Sequence, residues 1–77
     1  MHIEEVTQMI RAVIPDATVT IDGQDCNFAV TVISDTFEGQ SPVQRHRTVM
    51  APFQEKIAAG ELHAISINAK TPAEHSA

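Results

Sequence analysis

Residues 41–60 read Ser-Pro-Val-Gln-Arg-His-Arg-Thr-Val-Met-Ala-Pro-Phe-Gln-Glu-Lys-Ile-Ala-Ala-Gly, and how this stretch folds decides the architecture. Ser41 is a side-chain cap, Pro42 suits the first helical position, and Gln44 stands three residues after the cap, so the three open a helix through a capping box. The helical pattern runs to Ala59, and Gly60 is the residue expected just past a helix end. Pro52 interrupts it. A proline inside a helix lacks the amide hydrogen of the ladder and crowds the preceding turn, so a kink or two consecutive short helices are expected near Thr48–Ala51.

Working outward, both flanks read as strands. Ala17, Val19 and Ile21 alternate with Thr18, Thr20 and Asp22, and Phe28, Val30 and Val32 keep the same period of two. Asp22-Gly23-Gln24-Asp25-Cys26-Asn27 between them is rich in turn formers, so the two strands form an antiparallel hairpin. Ser34 through Gly39 reads as a second loop. Leu62 to Ala69 is the third strand. A long helical crossover between the second and third strands makes them parallel, with right-handed connectivity. Before the hairpin, Ile3, Val6, Ile10, Val13 and Ile14 form one apolar helical stripe over residues 2–14, with Glu4 and Glu5 in the first turn and Arg11 near the end, as the helix dipole favours. Pro15 and Asp16 stop that helix. Thr71-Pro72-Ala73-Glu74 repeats the capping-box logic for a terminal helix stub. The expected fold is α+β: helix–strand–strand–helix (kinked)–strand–short helix, one mixed three-stranded sheet with the helices on one face, and a single domain over 1–77.

Composition excludes several functions. The chain has 77 residues, 43% hydrophobic and 19% charged, which suits a compact domain and argues against intrinsic disorder. No apolar run approaches the roughly 20 residues of a membrane helix, so no membrane association is expected. The start, Met-His-Ile-Glu-Glu, has no basic leader, and a single cysteine excludes an internal disulfide, so a cytoplasmic setting is expected. Five basic against ten acidic residues give a net charge of −5. Non-specific binding to a duplex needs a concentrated basic face, whereas Arg11, Arg45, Arg47, Lys56 and Lys70 are scattered. There is no Tyr or Trp, so stacking platforms are also scarce.

Chemistry-bearing side chains are few. There is no phosphate-cradling glycine loop, nucleophile elbow or paired-cysteine zinc motif, and no acid–base pair, so an enzyme is not expected. The Ser34-Asp35 and Asp22…Asp25 pairs read as turn formers. His46 shares a helix face with Val43, Met50, Phe53 and Ile57 at 100° per residue, so it is expected to be a partly buried structural residue flanked by Arg45 and Arg47. Cys26 sits in the hairpin loop, where neighbouring Asp25 would raise its pKa, and His63 sits at the start of the third strand. His2 and His75 are terminal and expected to be solvated.

The run Phe37-Glu38-Gly39-Gln40-Ser41-Pro42-Val43-Gln44-Arg45-His46-Arg47-Thr48-Val49, with Gly60-Glu61-Leu62-His63-Ala64-Ile65-Ser66-Ile67, resembles the BolA family. The Thr71-Pro72-Ala73-Glu74 ending and the short N-terminal helix resemble its small IbaG-like acid-stress branch. The resemblance covers essentially the whole chain. It implies a fold similar to the class II KH domain, in the element order read above. It also implies a partner, a monothiol glutaredoxin, with which such proteins form a heterodimer around a bridged [2Fe–2S] cluster. The glutaredoxin side supplies a cysteine and a bound glutathione thiol. The residues that match the family's ligands here are His63 and, from the hairpin loop, Cys26; a slip of one residue would put Asp25 or Asn27 in the second position. No cofactor is expected in the isolated chain. The resemblance thus implies a non-enzymatic adaptor in cluster trafficking or sensing. The Gly-x-x-Gly loop of RNA-gripping KH domains is absent. The alternative is a stress-related transcriptional regulator that binds DNA weakly through the helix around 42–59, using Arg45, Arg47 and Lys56.

Overall fold

The computed structural model describes residues 2–24, 27–62 and 64–76. Its elements follow the expected order. Helix α1 (Ile3–Val13) leads into strands β1 (Thr18–Gln24) and β2 (Asn27–Ile33). A 3-10 turn (Asp35–Phe37) follows, then helix α2 (Pro42–Met50), a second 3-10 turn (Ala51–Phe53) and helix α3 (Gln54–Ala58). Strand β3 (Ala64–Lys70) and helix α4 (Pro72–Ser76) complete the fold. The sheet order is β1-β2-β3, with β1 and β2 antiparallel and β2 and β3 parallel. It is the mixed sheet that the helical crossover requires.

One face of the sheet is apolar. Val19 pairs with Val32, Ile21 with Val30, and those β2 residues pair onward with Ala69 and Ile67 of β3. Phe28, Val30 and Val32 are buried against Val6, Ile10 and Ile14 from the α1 segment, and against Val49, Phe53 and Leu62 from the crossover. The other face carries Thr18, Thr20, Asp22, Ala29, Ser66 and Asn68, all exposed. Strand periodicity alone separates these two sets. The buried residues are spaced four apart, Val6 and Ile10 in α1 and Ile14 at its C-cap. Ile3 and Val13, the first and last residues of the helix, are 47% and 48% exposed, so of the expected stripe Val6, Ile10 and Ile14 turn inward and Ile3 and Val13 do not.

The caps form as their residue types dictate. Ser41 Oγ accepts from the Gln44 amide at 3.2 Å, and Gln44 Oε1 accepts from the Ser41 amide at 2.9 Å. Pro52 breaks the helical run at Ala51–Phe53, where the ladder gives way to a 3-10 turn and restarts as α3. Gly60, at φ 78°, ends α3, and Glu61 N–H returns to Lys56 C=O at 3.0 Å. Thr71 and Glu74 repeat the capping box at the start of α4, at 2.9 and 3.2 Å.

Four expectations need correction. The hairpin loop is shorter than Asp22–Asn27, because the ladder continues through Asp22↔Ala29 and Gly23↔Phe28 to Gln24↔Asn27. Strand β3 starts at Ala64, while Leu62 is a fully buried core residue ahead of it. The segment 34–39 is a built turn: Ser34, 2% exposed, donates to Asp16 Oδ1 at 2.7 Å and accepts from the Thr36 amide at 3.0 Å. That turn sinks Phe37 completely into the core. Finally, α2 presents a different face from the one its spacing suggested. Val43 is 59% exposed and His46 is exposed, while Arg45 is half-buried and Val49 fully buried. Arg45 and Val49, four apart, are the inward stripe; the long aliphatic stem of arginine serves as the apolar residue that the helix otherwise lacks at that position.

Candidate functional site

Two sets of residues were candidates. The first is the cluster-ligand pair. Cys26, His63 and the slipped alternative Asp25 lie outside the described residues, and Asn27, the other slipped alternative, is the first residue of β2. What the structure does describe is their chain neighbours. Asn27, immediately after Cys26, is the register partner of Ala64, immediately after His63. Gln24, immediately before Asp25, pairs with Asn27 across the hairpin. The rung Gln24–Asn27–Ala64 therefore closes one end of all three strands. Among the described residues no three His, Cys, Asp or Glu side chains gather closely enough to hold a metal ion.

The second set is the basic trio Arg45, Arg47 and Lys56. The structure gives these residues different surroundings. Arg45 is drawn inward, its guanidinium carbon 5.9 Å from the centre of the Phe37 ring. Its Nη1 donates to Glu74 Oε1 at 2.6 Å and its Nη2 to Glu74 Oε2 at 3.2 Å, a forked pair that suits a planar guanidinium. Its Nε donates to Gln40 C=O at 3.0 Å and its Nη1 also to Ala69 C=O at 3.3 Å. One side chain thus joins the loop before α2, the end of β3 and the start of α4. The hydrogen bonds from Arg45, seconded by the Thr71 amide, hold the Glu74 carboxyl down at about 2, and the same bond raises Arg45. Lys56 lies 3.3 Å from Glu61 Oε2. Arg47 and His46 are exposed on α2. Arg45 is thus committed to internal partners and Lys56 to a carboxylate neighbour, and Arg47 faces solvent apart from both.

Phe37 and Arg45 are the residues whose importance spacing did not reveal. A lone aromatic in a polar loop has no periodicity to betray it. The signal that could have found Arg45 was the pairing of an early-helix arginine with the capping-box glutamate of the last helix.

A groove of about 470 Å³ lies between α2 and the outer edge of β3, lined by Pro42, His46, Ile67, Ala69, Lys70 and the Arg45–Glu74 pair. No helix among the described residues is long and apolar enough to cross a membrane.

Fold and sequence define the class together. The model of BolA-like proteins matches residues 3–74. The chain belongs to the BolA-like family. It is 34% identical over 74 residues to the acid stress protein IbaG of Escherichia coli K12, a match covering 96% of this chain and 88% of that one. Among solved structures, it is similar to a bolA protein homologue from Coxiella burnetii, with a TM-score of 0.84 at 27% identity, covering 100% of this chain and 99% of the other. It is also similar to the BolA domain of SufE1 from Arabidopsis thaliana, with a TM-score of 0.79 at 28% identity and 92% of each chain covered.

Proposed function

We propose that the protein is a non-enzymatic adaptor in iron–sulfur cluster trafficking or sensing, completing a [2Fe–2S] cluster that it shares with a monothiol glutaredoxin and its glutathione. In this reading His63 supplies an imidazole ligand and Cys26 a thiolate, and the cluster is cargo held between two proteins. The observation that carries the reading is the rung Asn27–Ala64. It pairs, on adjacent strands about 4.8 Å apart, the two residues that follow the proposed ligands in the chain. The fold's occurrence as a domain of SufE1 fits a module that works beside a partner.

The donor set suits labile binding. Imidazole in place of thiolate on one iron raises the cluster's potential relative to all-cysteine ligation. Imidazole also protonates near neutral pH, so ligation by His63 weakens on acidification while thiolate ligands on the partner persist longer. The test is anaerobic reconstitution of the chain with a monothiol glutaredoxin and glutathione, followed by visible absorption and circular dichroism. A cluster spectrum distinct from that of glutaredoxin alone, lost or shifted in His63→Ala, supports the reading. An identical spectrum in wild type and His63→Ala removes His63 as a ligand. The DNA reading has less support, since Arg45 is engaged internally and Lys56 sits beside Glu61.

A further inference from the structure

Helix α3 leaves through a fully bonded exit. Gly60, at φ 78°, donates its amide to Ile57 C=O at 3.1 Å, and Glu61 N–H donates to Lys56 C=O at 3.0 Å, the two bonds of a Schellman ending. The Lys56–Glu61 ion pair, at 3.3 Å, stands where such an ending often has an apolar contact. Leu62 N–H is a second donor to Lys56 C=O, at 3.3 Å, and the Leu62 side chain is fully buried in the core. Two residues on, Ala64 opens β3 and pairs with Asn27.

The burial of Leu62 does not follow from the strand. In β3, Ile65, Ile67 and Ala69 pack against the core, while Ser66 and Asn68 are exposed. Running that alternation backwards would put residue 62 on the exposed face. Leu62 is instead a core residue, so the period of two is broken between Leu62 and Ile65. Position 63 falls at this break. An interrupted strand period re-aims the side chain at the interruption, and such interruptions gather next to functional sites. We propose that Leu62 is the positioning residue for the ligand imidazole of His63. The proposal rests on the cluster reading given above and adds to it the means by which the ligand is delivered. The bonded helix exit and the buried Leu62 side chain fix the backbone up to residue 62, and the ladder fixes it again from residue 64. Ligation then needs little ordering of the chain on either side of the ligand, whereas a ligand on a free loop would give up binding energy to order it.

The experiment uses the complex with a monothiol glutaredoxin and glutathione, reconstituted anaerobically, with ¹⁵N-histidine in this chain. Two readouts are taken: the hyperfine coupling of the histidine nitrogen in the reduced cluster, and the pH at which the visible circular dichroism of the cluster is lost. Leu62→Val and Ile10→Val each remove one methylene from the same core, the first beside the ligand and the second on α1. Leu62→Val should weaken ligation about tenfold, as loss of an orienting neighbour does, and raise the pH of release by about one unit. Its nitrogen coupling should change as well. Ile10→Val should match wild type in both readouts, and so should Leu62→Met, which keeps the volume. Gly60→Ala strains the exit without emptying the core, so it should shift both readouts in the same direction and decides the matter if Leu62→Val does not fold. A Leu62→Val complex indistinguishable from Ile10→Val, or, failing that variant, a Gly60→Ala complex indistinguishable from wild type, would overturn the positioning role and leave the histidine ligand standing. A wild-type cluster with no coupled histidine nitrogen would remove the ligand itself, and this proposal with it.

Discussion

Truncating Phe37 to alanine should remove a large share of the protein's stability, although the residue lies in a three-residue turn between polar loops. The ring is fully buried in the common core. Replacing a buried phenylalanine by alanine costs about 3–5 kcal/mol through lost transfer energy and the cavity left behind. A 77-residue chain has a total stability of about 4–12 kcal/mol. The loss is therefore a quarter of the total or more. The ring is also the surface on which Arg45 rests, at 5.9 Å, a contact worth about 0.5–1 kcal/mol where partly exposed. Its removal should loosen Arg45 and the α4 anchor with it. The chain has no Trp and no Tyr, so the assay is urea denaturation followed by circular dichroism at the helical band. With a slope of about 1 kcal/mol per molar urea, the Phe37→Ala midpoint should fall by about 3 M or more, or the variant should be unfolded in buffer. Phe37→Leu, which keeps most of the volume, should cost about 1–1.5 kcal/mol. A Phe37→Ala midpoint within about 1 M of wild type would show that the turn is a surface feature.

Other perturbations follow from the same geometry. Glu74 is held at about 2, below its unfolded value, so its contribution is fully present above the ordinary carboxylate range and is lost as pH falls through about 2. The Arg45–Glu74 tie should stay closed at pH 5; in Arg45→Ala a ¹³C titration of the Glu74 carboxyl should move up toward the ordinary range, with the Thr71 amide still holding it below. Gly60 has φ 78° with open space where a Cβ would stand, so Gly60→Ala should lose about 1–2 kcal/mol from backbone strain alone, and Gly60→Asn less, both read by thermal denaturation. Ser41→Ala removes one half of the capping box and should lose about 1 kcal/mol in the same experiment, with Ser41→Asp close to wild type.

Local chemistry made much of the fold legible. The capping box at Ser41–Gln44, the break at Pro52 and the αL glycine at 60 each depend on residues within one turn, and each forms as its residue types require. The two strand periods and the length of the crossover were enough for a mixed sheet. What escaped was non-local. Arg45 reads as a solvated charge until Glu74, 29 residues away, is brought beside it. Helix α2 has too few apolar side chains to define one stripe, so spacing turns Val43 and His46 inward where the fold turns Arg45 and Val49. The candidate ligand site was legible in a different sense. The parallel direction of β2 and β3 follows from the crossover and the pairing Asn27–Ala64 is seen only in the fold, whereas the roles given to Cys26 and His63 rest on family resemblance and their chemistry.

The central claim is a histidine on iron, and hyperfine spectroscopy addresses it directly. The complex with a monothiol glutaredoxin, reconstituted anaerobically with iron, sulfide and glutathione and reduced by one electron, should give a pulsed EPR spectrum containing a strongly coupled nitrogen. Labelling only this chain with ¹⁵N-histidine should change that coupling, and His63→Ala should abolish it. A reduced cluster whose spectrum shows no directly bound nitrogen, or one indifferent to the label, would contradict the account.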